Sequence, residues 1–339
     1  MNTNVAFHPA GLDACALYRL FLPHLRLPGS IFIYNIDGIT LDRVAGCQIV
    51  VVQRLYSKRN MAALEEFKRH GMKIVYDLDD DMWSIPSYNP MHKALRQVIP
   101  GFNTCAVYSD LITVSTEHLR VMVKKELGRH CPEVAVVENS MDFEWFRPIP
   151  EQLRKNRNGK VVIGWAGTPT HSADVEMVFS LIPEILKECP TAEFELVAQE
   201  MPEAWKPIAD RVRLRGYVPV AEWATAWASW QWDIALAPLE QNKFNLSKSN
   251  IKALEAAAIK IPCVMSDVAE YRKFCYHSPV LRKTVLAEYR NDWKNKIKAL
   301  ILDAELRKVV GEEMYRIAYT YYNVFKTAER YKELYSSLV

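Results

Sequence analysis

The residues best suited to chemistry lie between Phe244 and Met265, where hydroxyls, cations and a carboxylate recur at helical intervals. Ser249, Lys252 and Glu255 are spaced every three residues, which places them along one face of a helix. Ser247 or Ser249 can cap this helix and leave its other first-turn N–H groups pointing at a ligand. The pattern therefore predicts a helix whose N-terminal end binds an anion.

Two short apolar runs flank this helix and would position it. Asp233 to Pro238 precedes it and Ile261 to Met265 follows it, so strand, helix and strand form one βαβ unit. The competing interpretation is a surface ion pair between Lys252 and Glu255, which contributes only about 0.2–0.5 kcal/mol to a helix.

An acidic group follows the predicted strand from Lys73 to Tyr76. Four carboxylates between Asp77 and Asp81 repel each other unless a cation or a hydrogen-bond network compensates. Three interpretations stay open: a divalent-cation site built on Asp77 and Asp79, acids that line an acceptor site, and capping of the turn that follows.

The start of the chain reads as a strand from Asn4 to Phe7, a turn with Gly11 and a helix from Asp13 to Leu22. Ligands of open α/β sheets bind beyond the carboxyl ends of the strands, where this turn would lie. Gly11 and Arg19 are therefore candidates to bind an acceptor or a phosphate, and a plain turn with a solvated arginine fits equally well. The turn has no Gly-x-Gly-x-x-Gly, so dinucleotide binding is not supported.

Length and composition favour a globular protein with two domains. The chain has 339 residues, half of them hydrophobic, and a net charge of +3, which permits but does not require a nucleic acid or an anionic membrane surface as partner. Its seven cysteines are scattered, which favours reduced thiols in the cytoplasm. No run of about 18 apolar residues is present to span a membrane.

The patterns predict a first domain over residues 1–148, a linker over 149–160, a second domain over 161–314 and a C-terminal helix over 315–339 that returns to the first domain. Further strands are expected at Ile31 to Tyr34, Ile49 to Gln53, Leu111 to Ser115, Val134 to Val137, Val161 to Trp165, Phe194 to Val197 and Val212 to Leu214. A single helix is expected from Ala173 to Glu188, and helical pattern from Val285 onward.

The run from Lys248 to Val264 resembles the donor-binding segment of retaining, nucleotide-sugar-dependent glycosyltransferases of the GT-B fold, the glycosyltransferase 4-like group. The resemblance implies an α/β protein with two Rossmann-like domains facing across a cleft. In that family two Glu residues, eight positions apart, contact the donor. Glu255 matches the second, which holds the ribose hydroxyls, whereas Ser247 stands at the first. Lys248 and Ser249 would take over part of that contact, as in Lys-Ser variants of the family.

The same resemblance implies roles for further residues. Residues 76–83, Tyr-Asp-Leu-Asp-Asp-Asp-Met-Trp, are similar to a segment that lines the acceptor site. The expected donor-binding residues are Gly167, Thr168, His171, Tyr217, Pro238, Ser247, Lys248, Ser249, Asn250, Lys252 and Glu255. The expected acceptor-binding residues are Gly11, Arg19 and Trp83. The expected catalytic residues are Asp77, Asp79, Asp80 and Lys248.

The implied reaction moves a sugar from a UDP- or GDP-sugar to an acceptor hydroxyl, with retention and without an obligatory metal, in a monomer or homodimer. The acceptor is either a glycan or a hydroxylated base in phage-type DNA, for which a basic patch would consist of Arg54, Lys58, Arg59, Lys68 and Arg69. Two alternatives remain: a catalytically impaired protein that only binds sugar nucleotides, and a metal-dependent transferase of the GT-A type that uses Asp77 and Asp79.

Overall fold

The computed structural model describes residues 4–33, 38–150 and 157–339. Tyr34, the predicted end of a strand, and residues 151–156, half of the predicted linker, lie outside the described residues. The chain divides into two compact units. Unit 1 comprises Met1–Asp142, Leu246–Ser249 and Tyr322–Val339, and unit 2 comprises Phe143–Asn245 and Asn250–Tyr321.

Unit 1 is built on a six-stranded, wholly parallel sheet with the order β2-β1-β3-β4-β5-β6. Its strands are β1 (Val5–His8), β2 (Ile31–Phe32), β3 (Ile49–Gln53), β4 (Lys73–Leu78), β5 (Leu111–Val114) and β6 (Glu133–Val136). Strand β3 is buried along its whole length, as its β-branched sequence predicts. The order changes direction between β1 and β3, which is where a ligand site is expected in such a sheet.

The helices of unit 1 are α1 (Ala14–Ala16), a π-helical turn (Leu17–Phe21), α2 (Leu22–His24), α3 (Lys58–Arg69), α4 (His92–Tyr108), α5 (Glu117–Leu127) and α14 (Val324–Ser336), with 3-10 turns at Leu41–Val44 and Gly128–His130. One face of the sheet packs on α14, where Tyr331 and Tyr335 join Phe7, Val51 and Val75 in a buried cluster. The last helix of the chain therefore completes the core of unit 1.

Helix α4 is the largest element that the sequence patterns missed. Pro100 lies inside it and Gly101 follows, a pair that normally ends a helix. A Cβ at residue 101 would lie 1.9 Å from the carbonyl oxygen of Tyr56, so only glycine permits this close approach. The packing of α4 on a neighbouring loop thus outweighs its local sequence preference.

Unit 2 also has a six-stranded parallel sheet, with the order β12-β11-β10-β7-β8-β9. Its strands are β7 (Val161–Ala166), β8 (Ala192–Val197), β9 (Val212–Arg215), β10 (Ile234–Ala237), β11 (Cys263–Ser266) and β12 (Leu286–Ala287). Counted from β7, this is the strand order of a Rossmann fold, in which ligands bind where the order reverses. Here that point lies between β7 and β10.

The helices of unit 2 are α6 (Ser172–Phe179), α7 (Ile182–Glu188), α8 (Trp223–Trp230), α9 (Ile251–Ala258), α10 (Ala269–Phe274), α11 (Pro279–Thr284), α12 (Arg290–Leu302) and α13 (Ala304–Tyr321), with 3-10 turns at Pro169–His171, Glu203–Arg211 and Val220–Glu222. A further 3-10 turn at Asn245–Ser247 runs across the boundary between the units. The α/β class and the two Rossmann-like sheets are confirmed.

Three expectations about helices were wrong. The helix predicted from Ala173 to Glu188 is split into α6 and α7, because Pro183 can stand only in the first turn of a new helix. The region from Val285 begins with the short strand β12. The final helix does not start at residue 315, since α13 ends at Tyr321 and Asn323 caps α14 through its side chain.

Candidate active site

The N-terminal end of α9 forms the centre of the candidate donor site in unit 2. Helix α9 connects β10 to β11, so it starts beside the point where the strand order reverses. Asn250 is the N-cap and makes no side-chain capping bond. The prediction that Ser247 or Ser249 caps the helix was therefore wrong, and a helix end without a side-chain cap is suited to an anion.

Lys252, in the first turn of α9, is held by two neutral groups. Its ammonium donates a hydrogen bond to the carbonyl oxygen of Ala166, the last residue of β7. It also lies 5.6 Å from the centroid of the Trp165 ring, within range of a cation–π interaction. Both contacts place the cation at the end of β7.

Two buried N–H donors near this cation have no hydrogen-bond partner among the described residues. They are the side-chain amide of Asn250 and the indole N–H of Trp165, whose residues are only 3% and 4% exposed. An unpaired buried donor costs about 1–3 kcal/mol, so such atoms call for a ligand or water. Together with Lys252 they form a set of donors suited to phosphate or hydroxyl oxygens.

Glu255 is buried in the second turn of α9 and accepts a 2.6 Å hydrogen bond from the indole N–H of Trp223. Trp223 begins α8 and packs on Trp227 and Trp230. The tryptophans of α8 belong mostly to the core, as their helical spacing predicts. The indole N–H of Trp223 orients the Glu255 carboxylate. A carboxylate fixed in this way can hold a pair of hydroxyls.

Asp174 ties the loop after β10 to the start of α6. Its carboxylate accepts hydrogen bonds from His171 at 2.8 Å, the backbone N–H of Glu240 at 2.9 Å and the side chain of Asn245 at 2.6 Å. Burial alone would raise the pKa of Asp174, but these bonds lower it overall below its ordinary value. His171, predicted to bind the donor, thus pairs with a carboxylate.

The remaining predicted donor residues of unit 2 lie near the carboxyl ends of strands. Gly167 follows β7, and a Cβ there would meet the Trp165 ring at 2.4 Å. Thr168 is exposed and shares a hydrogen bond with Thr170. Pro238 is buried directly after β10, whereas Tyr217 is 82% exposed beyond β9. Tyr217 therefore presents an aromatic face to solvent.

In unit 1 the structure buries Arg19 and Asp77 as an ion pair. They are 1% and 0% exposed, and their closest nitrogen and oxygen atoms are 2.7 Å apart. Asp77 also accepts from Thr113, and Arg19 donates to the carbonyl oxygen of Val137 and to Asn139. This pair therefore links the ends of β4 and β5, and the acceptor contact predicted for Arg19 and the catalytic role predicted for Asp77 stay predictions.

Asp79 and Asp80 lie directly beyond β4 and each faces a cation. Lys248 contacts Asp80 at 2.8 Å, and Arg54 approaches Asp79 at 3.8 Å and Asp13 at 3.1 Å. Burial would lower the pKa of Lys248, but the charge and hydrogen bond of Asp80 raise it overall. Lys248 is therefore an ammonium ion committed to a carboxylate.

The segment Leu246–Ser249 is bonded to other parts of unit 1. Thr116, the N-cap of α5, donates to the carbonyl oxygen of Ser247, and Asn139 donates to the hydroxyl of Ser249 at 2.8 Å. The Ser247 hydroxyl is buried and has no hydrogen-bond partner among the described residues. The predicted donor contacts of these three serine and lysine positions stay predictions.

Two predicted acceptor residues have structural neighbours of their own. Trp83 donates its indole N–H to Asn103 at 3.0 Å and packs edge-on against Phe102. The turn before it is capped by Asp81, which accepts from the backbone of residues 83 and 84. This is the capping role that one Asp of the acidic run was expected to have. Gly11 is half-buried beside the Asp13 carboxylate.

Sequence reasoning missed three polar residues at the carboxyl ends of unit 1 strands or in the turns that follow. His8 ends β1 and Gln53 ends β3, and each has a buried nitrogen without a hydrogen-bond partner among the described residues. Asp13 caps α1 with one oxygen and pairs with Arg54 through the other. A polar residue that ends an otherwise apolar strand was the available signal.

Arg54 has a backbone φ of 50°, a conformation that costs a non-glycine residue about 1–2 kcal/mol. Strain of this kind concentrates at functional sites. Within residues 4–33, 38–150 and 157–339, no three His, Cys, Asp or Glu side chains come together as a metal site. No helix of the described residues is long and apolar enough to cross a membrane.

Residues 160–303, from β7 to the end of α12, match the family described as Glycosyl transferases group 1. The match covers the candidate donor site with Gly167, Lys252 and Glu255. A search of curated proteins finds no match to the chain.

Solved structures extend the likeness to the whole fold. Sucrose-phosphate synthase from Thermosynechococcus elongatus superposes with a TM-score of 0.72 at 11% identity, covering 99% of both chains. HepE from Anabaena in complex with UDP-glucose gives a TM-score of 0.68 at 12% identity, covering 98% of this chain and 99% of HepE. An α,α-trehalose-phosphate synthase (UDP-forming) from Burkholderia vietnamiensis gives 0.63 at 12% identity, covering 99% of this chain and all of that one. The chain thus has the GT-B fold, and the match of residues 160–303 to Glycosyl transferases group 1 supports a glycosyltransferase.

Proposed function

We propose that this glycosyltransferase transfers a sugar from a UDP-sugar to an acceptor hydroxyl with retention of anomeric configuration. Unit 2 binds the donor and unit 1 binds the acceptor. UDP is preferred over GDP because the solved structure of HepE contains UDP-glucose. Seven free cysteines agree with a chain that works in the reducing cytoplasm.

The observation that carries this proposal is the set of nitrogen donors at the start of α9. Asn250 is the N-cap of α9, the Lys252 ammonium in its first turn lies 5.6 Å from the Trp165 ring, and the N–H groups of Asn250 and Trp165 have no hydrogen-bond partner among the described residues. A diphosphate would supply the oxygens that the Asn250 amide and the Trp165 indole lack. Glu255, oriented by Trp223, would accept hydrogen bonds from the ribose hydroxyls, and the exposed ring of Tyr217 would stack on the base.

In the transfer, the anomeric carbon exchanges its bond to the diphosphate oxygen for a bond to the acceptor oxygen. The bonding electrons leave with the diphosphate, and the hydroxyl proton is released. Charge develops on the leaving diphosphate, so donors fixed beforehand around it stabilise the transition state more than the ground state. Lys252 and the first N–H groups of α9 have this role in the proposal.

The acceptor hydroxyl is assigned to Asp79. Among the three acids predicted to act on the acceptor, Asp77 is engaged with Arg19 and Asp80 with Lys248. Asp79 faces Arg54 at 3.8 Å, beyond hydrogen-bond distance, and the oxygen concerned has no hydrogen bond among the described residues. A hydroxyl that donates to this oxygen would be held in place and made more nucleophilic.

The donor proposal is tested by thermal unfolding with UDP, UDP-glucose, GDP and GDP-mannose, with and without a chelator. A ligand at a hundred times its dissociation constant adds about 2.7 kcal/mol of stability. We expect UDP and UDP-glucose to raise Tm whether or not chelator is present. Lys252→Met and Glu255→Gln should each abolish most of that rise.

Lys260→Met is the matched control, because Lys260 lies just after the other end of α9 and pairs with Glu312 at the surface. It removes the same charge and should keep the full UDP shift. Absence of a shift with every nucleotide would overturn the proposal. A shift without turnover of any donor would favour the catalytically impaired binding protein, and a shift lost with chelator would favour metal-dependent binding.

A further inference from the structure

The acceptor end of unit 1 carries a compact group of charges, named here the edge cluster. It comprises Asp13, Arg54, Asp79, Asp80 and Lys248. Arg54 follows β3 and the two aspartates follow β4, which are adjacent strands of the sheet. The cluster therefore lies where a parallel sheet normally presents its ligand site.

Each cation of the edge cluster already faces a carboxylate. Arg54 lies 3.1 Å from Asp13 and 3.8 Å from Asp79, and Lys248 lies 2.8 Å from Asp80. Three carboxylates thus accompany two cations, which leaves the cluster with a net negative charge. A phosphate placed here would meet these carboxylates and would have to take a cation from one of them.

Several buried polar atoms at the same sheet edge have no hydrogen-bond partner among the described residues, and hydroxyl groups can satisfy them. Among the described residues, hydrogen bonds are missing for one oxygen of Asp79, one oxygen of Asp81 and the amide nitrogen of Gln53. These residues are 8%, 0% and 0% exposed. A sugar hydroxyl both donates and accepts, so it can satisfy carboxylate and amide alike, whereas a phosphate dianion can only accept.

Carboxylates also pair with part of the basic patch that would bind a DNA acceptor. Of its five members, Arg54 belongs to the edge cluster and Lys68 lies 3.5 Å from Asp110. Helix α3, which carries the others, also contains Glu65 and Glu66. Little charge remains in this patch for a DNA backbone.

We infer that the acceptor is an uncharged polyhydroxylated sugar, presented to the edge cluster through its hydroxyls, rather than a sugar phosphate or DNA. The inference rests on the proposed function, since it concerns the acceptor of the same transfer. It separates this chain from the structural neighbours named for phosphate-bearing products, sucrose-phosphate synthase and trehalose-phosphate synthase.

The test uses labelled UDP-glucose and matched acceptor pairs: fructose with fructose 6-phosphate, glucose with glucose 6-phosphate, and N-acetylglucosamine with its 6-phosphate. A duplex that contains 5-hydroxymethylcytosine is the further arm. Transfer and acceptor-dependent release of UDP are measured. We expect the neutral member of a pair to be used at least about tenfold better than its phosphate, and the duplex not at all.

Asp13→Asn sharpens the test by releasing charge from Arg54. The substitution keeps the oxygen that caps α1, so the fold is retained, and it removes the negative charge 3.1 Å from the guanidinium. The preference for the neutral sugar should fall about two- to fivefold. Glu117→Gln, which breaks a surface pair with Arg120 in the same unit, should leave the preference unchanged.

The outcomes separate the two proposals. If UDP fails to stabilise the protein, the proposed function fails. If UDP binds but phosphorylated sugars or the duplex are preferred, only the inference of a neutral acceptor is overturned. It is equally overturned if UDP binds and neither member of any pair changes UDP release.

Discussion

Each unit has a sheet of six parallel strands whose carboxyl ends lie at one edge. The two units differ in which buried polar atoms near that edge have no hydrogen bond. In the described part of unit 2 they include N–H groups of Asn250 and Trp165, close to a lysine held by a carbonyl and a ring. In the described part of unit 1 they include nitrogens of His8 and Gln53 and also carboxylate oxygens of Asp79 and Asp81, a kind of atom absent from the set in the described part of unit 2.

This difference shows how one architecture can serve two ligands. A parallel α/β sheet offers the same geometric position at its carboxyl edge in either unit, so the side chains there set the chemistry. Unpartnered donors suit an oxygen-rich anion, and unpartnered carboxylate oxygens suit hydroxyl groups. The cations of unit 1 mainly fix its loops, whereas Lys252 of unit 2 is proposed to meet the substrate.

The largest expected effect concerns the buried pair of unit 1. Arg19→Met leaves Asp77 charged and unpaired in the interior, which should cost about 3–5 kcal/mol of unfolding free energy. Urea unfolding measures the loss. The double variant Arg19→Met with Asp77→Leu should be clearly more stable than the single one. Equal stability of the wild type and Arg19→Met would contradict the structural role of the pair.

Acid should weaken unit 1 before unit 2. Burial, assisted by Arg43, lowers the pKa of His8 from its ordinary 6.5 to about 4. Below pH 6.5 His8 binds a proton in the unfolded chain but not in the folded one. The free energy of unfolding therefore declines as pH falls towards 4. The total loss is at most about 3 kcal/mol. Asp174 of unit 2 has a lowered pKa, so its contribution is lost only below the ordinary value of 3.8.

Hydrogen exchange read by mass spectrometry assigns this acid response to each unit. Peptides of β1, β3 and β4 should lose protection between pH 6.5 and 4.5, while those of β7, β8 and β10 keep theirs. His8→Asn should flatten the response of unit 1. Simultaneous loss in both units, unchanged by that variant, would show that another group controls acid stability.

The smallest effect isolates backbone strain in each unit. Arg54 of unit 1 and Gln231 of unit 2 both have left-handed backbones, with φ of 50° and 54°. At each position the glycine variant should be about 1–2 kcal/mol more stable than the alanine variant, because both lose the side chain and only alanine retains the strain. Denaturant titration of the four variants provides the comparison. A gain at Gln231 but none at Arg54 would show that relaxation at the edge cluster removes the strain.

Much of unit 2 could be predicted from its sequence. Apolar runs and helical spacing predict β10, β11 and the helix α9 between them. The same local patterns predict an anion at the start of α9. Its N-cap could not be predicted. Ser247 and Ser249 are suitable caps by type, but they form part of unit 1, and Asn250 is the N-cap.

Unit 1 was harder to predict because its site depends on partners far apart in the chain. The run from Asp77 to Asp81 shows four equivalent acids, and only tertiary contacts separate them. Arg19 buries Asp77 across 58 residues, and Lys248 pairs with Asp80 across 168. A local sequence pattern cannot reveal partners so far apart in the chain. The acids could therefore be identified as a group, but their separate roles could not.

The composition of unit 1 has a consequence for the order in which the protein is made. Strand β1 leaves the ribosome before unit 2, yet Tyr331 and Tyr335 of α14, which share a buried cluster with Phe7, leave it after unit 2. Unit 2 ends at Tyr321 and is complete before α14 is synthesised. One apolar face of the unit 1 sheet therefore stays uncovered until α14 has been synthesised. This makes unit 1 the natural client of chaperones during synthesis.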